Sequence, residues 1–134
     1  MGTRSLTVFK DEHGAEMAVM YRQYDGYPEG HGAALAEFLS GKAVVNGIQM
    51  GMDEGFNGPG CLAAQVVAHF KDGIGDFYLY GHNTRDIGEE FIYTITANAG
   101  MKEPSITFTD TWAWSEADSE DRPASEWLKI WAKS

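Results

Sequence analysis

The chain is poor in cysteine, in positive charge and in long apolar runs. A single cysteine, Cys61, stands among 134 residues. No disulfide can form within the chain, and one free thiol is the pattern of a reducing compartment. Ten Lys and Arg stand against twenty Asp and Glu, a formal net charge of −10. Coating DNA or RNA takes a surplus of Lys and Arg, so direct nucleic-acid binding is not expected. Docking on an anionic membrane is disfavoured for the same reason. No stretch is apolar enough to span a bilayer, and the first residues lack the apolar run of a signal peptide. A myristoylation pattern fails at Leu6, where Ser or Thr is needed. The expected location is cytoplasmic. The four histidines, His13, His31, His69 and His82, are scattered and no second cysteine joins them, so no metal site is expected. The glycine clusters lack the context of phosphate loops: Gly41-Lys42-Ala43 has no hydroxyl, and Gly73-Ile74-Gly75 precedes a strand pattern instead of following one. No cofactor is expected.

What the chain does have is a core. Apolar residues make up 43% and aromatics 13%, enough for one packed domain. Residues 3 to 10 alternate, with Leu6 and Val8 on one side and Ser5, Thr7 and Phe9 on the other. Residues 17 to 23 alternate again after a short turn, which predicts an antiparallel hairpin. Three glycines and one proline in residues 24 to 32 predict an irregular loop. Residues 33 to 40 and 61 to 71 have helical apolar spacing, separated by a short element and a Gly-rich loop. Residues 76 to 80, 90 to 97 and 105 to 111 read as strands. The order ββ-α-α-βββ predicts an α+β single domain, an antiparallel sheet of about five strands covered on one face by two helices. The expected boundaries are a domain over residues 1 to 114, an acidic linker over 115 to 123, and a short C-terminal helix over 124 to 134. That helix carries Trp127 and Trp131, which need burial on the sheet of this chain or on a partner.

The densest polar string is Tyr21-Arg22-Gln23-Tyr24-Asp25-Gly26-Tyr27-Pro28, with His31 close behind. It lies on a strand end and the following loop, where a rigid scaffold can aim side chains. Arg4 belongs to the neighbouring strand; if the register puts Arg4 and Arg22 on one face, they form a cationic spot in an acidic protein. Arginine suits phosphate or carboxylate, and tyrosine can stack on a base. Arg4, Arg22, Tyr24, Asp25, Tyr27 and His31 are therefore the candidate ligand-binding residues. The competing interpretation is a turn, with Arg22 paired to Asp25 or to an acid on the sheet surface.

Cys61 opens a predicted helix, a position that favours the thiolate. With His82 or His31 as base, and Asn83 or Asp86 orienting His82, it outlines a papain-like or NlpC-like hydrolase. A small buried thiol fits the same spacing.

Several strings together resemble a group of small bacteriophage and bacterial proteins with no established activity. These are Gly2-Thr3-Arg4-Ser5-Leu6-Thr7, the Tyr21-to-Pro28 string with Gly30-His31-Gly32, Val45-Asn46-Gly47-Ile48, and Gly60-Cys61-Leu62-Ala63-Ala64-Gln65 followed by Tyr78-Leu79-Tyr80. The resemblance covers roughly residues 2 to 95 and implies a phage or mobile-element setting. It carries no catalytic residue across. The leading expectation is a non-enzymatic binder of a small anionic, nucleotide-like ligand, which would sequester a host signal. The alternatives are an acidic module that blocks a host protein, and the cysteine hydrolase. A homodimer would suit a sheet with one uncovered face.

Overall fold

A computed structural model describes residues 2–47, 54–111 and 119–132. The fold is α+β, a six-stranded, mostly antiparallel sheet with three helices, plus a two-stranded sheet. The hairpin forms as its alternation predicts, from β1 (Ser5–Lys10) and β2 (Glu16–Arg22). A one-turn π-helix, Pro28–Gly32, leads into α1 (Ala33–Leu39), so the loop is partly ordered where irregular chain was expected. Gly41 then stops the helix in the left-handed region, at φ +73. The short element after it is β3 (Val44–Val45), which pairs in parallel with β4 (Phe56–Asn57). The centre of the expected Gly-rich loop, residues 48–53, lies outside the described residues. Helix α2 (Gly58–Phe70) buries Leu62 and Val66. The remaining strands are β5 (Phe77–Gly81), β6 (Phe91–Thr96) and β7 (Ser105–Asp110).

The tail departs from expectation. Residues 119–123 were expected within an acidic linker, yet Glu120–Pro123 is a sixth sheet strand, β8, paired with β7. The rest of that segment, 115–118, lies outside the described residues, as do 112–114 and the last two residues of the chain. Helix α3 (Ala124–Trp131) docks on the sheet of its own chain. The Trp127 and Trp131 rings stack at 4.4 Å, and the Trp127 indole N–H donates to the Ile106 carbonyl at 2.7 Å.

The sheet order is β5-β2-β1-β6-β7-β8, with β1 and β6 parallel. Its helix-covered face carries Phe9, Met20, Phe77, Tyr93, Ile95 and Ile106, all in the main core. The opposite face is not bare, contrary to expectation. Leu6, Val8 and Val19 are fully buried there, with Ile87 packed against them. The connection from β5 to β6 crosses this face, held by Arg85 on Glu16 at 2.8 Å. Among the described residues, no helix is long and apolar enough to cross a membrane.

Candidate functional site

The site begins with a register. Lys10 pairs with Glu16, but Phe9 pairs with Ala18, so one extra residue bulges out of β2. Without that bulge Arg22 would lie opposite Arg4. With it, Arg22 lies opposite Ser5. Because strand side chains alternate faces, this one-residue shift turns Arg22 to the helix side and leaves Arg4 on the other. The shared cationic spot is thus not formed: the two arginines stand on opposite faces. Arg4 sits beside Tyr21 and under Gly88, where a Cβ would lie 2.9 Å from the guanidinium.

On the helix side, His31 is the hub. It is fully buried and was expected as a ligand contact; instead both ring nitrogens are engaged inside the protein. Nδ1 is 3.1 Å from Arg22 Nη1, and Nε2 is 2.7 Å from Thr7 Oγ1. A guanidinium only donates, so Nδ1 must accept and Nε2 must carry the proton, which it donates to Thr7. Burial, and then the Arg22 charge, push the His31 pKa down to about 3, so the ring is neutral at ordinary pH. Phe70, Phe77 and Tyr93 wall it, with ring centroids at 5.1, 6.4 and 5.2 Å.

The glycines of the same string are close-approach positions. A Cβ on Gly26 would lie 2.8 Å from the Ser5 side chain and 2.8 Å from the Thr3 carbonyl. A Cβ on Gly32 would meet Trp131 and Tyr93 at 3.1 Å. The Gly26 carbonyl accepts from the Tyr93 hydroxyl at 2.7 Å; burial pushes that hydroxyl's pKa well up, which keeps it a donor. Gly26→Ala is therefore expected to destabilise the fold by about 1–3 kcal/mol, the range of an overpacked core, read as a lowered urea midpoint. An unchanged midpoint would show that the loop is not clamped on β1.

Arg22 itself is half-buried, with its guanidinium 4.9 Å over the Phe77 ring. It is not paired with Asp25: among the described residues no carboxylate lies within ion-pair distance of Arg22 or Arg4. Arg22 Nε and its cross-strand neighbour Ser5 Oγ are both buried without a hydrogen-bond partner among those residues. Asp25 is exposed, in the left-handed region at φ 59, and its carbonyl accepts the His31 N–H. Tyr24 and Tyr27 are 53% and 39% exposed, the first packed over Gly2 and the second over Gly30. Two exposed phenols thus flank a loop whose base holds a cation.

Among the described residues no hydrogen bond joins Cys61 to either histidine expected to act as its base. Cys61 lies in the first turn of α2, half-buried, its Sγ 2.9 Å from Gln65 Oε1 on the same helix. Of its two expected bases, His31 has both nitrogens committed and His82 is exposed on the turn after β5. Among the described residues, no cluster of three or more His, Cys, Asp or Glu could hold a metal ion. Sequence reading missed Thr7, Ser5 and Tyr93 as partners of this cluster; the inward parity of Ser5 and Thr7 was the available signal. Comparisons with models of protein families, with curated proteins and with solved structures find no match.

Proposed function

We propose that the protein binds a small anionic, nucleotide-like ligand without chemistry of its own, with Arg22 as the anion clamp. One observation carries this reading. In a chain of net charge −10, Arg22 is a half-buried cation with no carboxylate partner among the described residues, and its Nε and the hydroxyl of its cross-strand neighbour Ser5 are buried without a partner there, as is Arg4 Nε on the other face. An uncompensated buried donor of this kind is stabilised by an anion. His31 then serves as a positioning residue: it holds Nη1 of Arg22 from behind. Tyr24 and Tyr27 supply exposed aromatic surface for a base. The resemblance to phage-borne proteins suits capture of a host signal. Arg4 stands outside this site.

The test is calorimetric titration with adenosine monophosphate, and with inorganic phosphate alone. Saturable binding of the nucleotide with no product formed is expected. Arg22→Gln removes the charge together with the Nη1 donor to His31, so it should weaken binding at least about tenfold, with circular dichroism showing that the variant is still folded. Equal binding by Arg22→Gln would sink the site assignment.

A further inference from the structure

The two edges of the sheet differ. The β8 edge reads Glu120-Asp121-Arg122-Pro123, three charges and a proline, the devices that keep an edge from pairing. The β5 edge reads Phe77-Tyr78-Leu79-Tyr80-Gly81, with no charge, no proline and an unshifted register on β2. Tyr78, Leu79 and Tyr80 are 47%, 64% and 41% exposed.

The hydrogen-bond phase of this edge is fixed. Gln23 N–H donates to the Asp76 carbonyl at 2.8 Å, so by alternation Tyr78 and Tyr80 turn their backbone groups toward β2 and Leu79 turns its own outward. The carbonyls at the two ends are engaged, Phe77 by Lys71 Nζ at 2.9 Å and Gly81 by Thr84 Oγ1 at 2.7 Å. The outward pair at Leu79 lies midway between them.

We propose that β5 is the joint of a symmetric homodimer, in which two copies pair this strand antiparallel about Leu79. The central residues Tyr78-Leu79-Tyr80 read the same in both directions, so each tyrosine meets a tyrosine when two copies pair about Leu79. Leu79 N–H donates to the carbonyl of the partner's Leu79, and the reverse. Tyr78 faces the partner's Tyr80 in a cross-strand aromatic pair, made twice. One step beyond each strand end, the same register brings Asp76, left-handed at φ 63 and with its carboxylate accepting from the Tyr24 N–H at 3.0 Å, opposite the partner's exposed His82. The five strand residues carry no charge, so none meets a like charge within the paired strands. On the helix side, two adjoining apolar grooves of about 370 and 180 Å³ run between α2 and Leu79, lined by Ala63, Ala64, Val67 and Ala68. The partner's Leu79 covers their mouth. The joint adjoins the ligand site, since Arg22 pairs with Phe77 and the Asp76 carboxylate accepts from the Tyr24 N–H, so the test reads the oligomeric state and not ligand binding.

Analytical ultracentrifugation across the micromolar range tests it. The wild-type chain should sediment as a dimer. Leu79→Lys changes an exposed residue and should give a folded monomer with an unchanged circular dichroism spectrum. His82→Glu sets two carboxylates face to face and should raise the dimer dissociation constant about tenfold, while His13→Glu, the same charge change on the β1–β2 turn, should not. A wild-type monomer at every concentration overturns the proposal and leaves the edge to a strand of another protein. A dimer that survives Leu79→Lys overturns it as well.

Discussion

Trp131→Ala is expected to remove about 3–5 kcal/mol of stability, the usual loss on truncating a buried tryptophan, and so a large part of what holds a domain of this size. Its ring touches Tyr93 edge-on at 5.8 Å, Phe108 at 5.5 Å and Trp127 in a stack, and it lies over Gly32. The cavity left by its removal would open beside Tyr93, one wall of the His31 pocket. The α3 docking is reinforced by Glu103, which accepts from the Ser125 amide at 2.9 Å and its hydroxyl at 2.6 Å. Urea unfolding followed by circular dichroism measures the loss. A loss below about 1 kcal/mol would mean that α3 is a detachable tail and not part of the core.

Acid is expected to destabilise the fold through His31. Its folded pKa lies near 3, below the ordinary 6.5 of an unfolded chain. Between those values the unfolded state binds more protons, so stability rises with pH. The contribution is fully present above about pH 6.5 and is lost as pH falls toward 3. Linkage puts the loss at about 1 kcal/mol by pH 5.5 and about 3 kcal/mol by pH 4.5. Unfolding free energies at pH 7.5, 6.5 and 5.5 read this term, before most carboxylates titrate. His31→Gln replaces a titrating acceptor with one that does not titrate, and should flatten the curve in that range at the cost of overall stability. Equal slopes in the wild type and His31→Gln would show that protonation of this ring does not oppose folding.

The hairpin, the three α-helices and the three aromatic strands were legible because apolar alternation and helical spacing report local burial. Three features were not. The parallel seating of β6 beside β1 joins residues 5 and 91, and no local pattern encodes which strands become neighbours. The β8 strand carries charges that read as solvated chain, since an edge strand needs little burial. The separation of Arg4 from Arg22 depends on one bulged residue near Met17, and alternation alone does not place a bulge. The string from Tyr21 to Gly32 was recognisable as special, but much of what makes it special is packing: glycines where no Cβ fits, and a histidine locked between Thr7 and Arg22. Arg22, Tyr24 and Tyr27 are what remain for a ligand.

The most direct test of that remainder is a pair of mass spectra, native and denaturing, of the protein purified from cells. The expected result is an extra mass of a small anionic molecule on the native protein, absent after denaturation and absent from Arg22→Gln. A bare native mass in the wild type, or an equal extra mass on Arg22→Gln, would contradict a ligand clamped at Arg22.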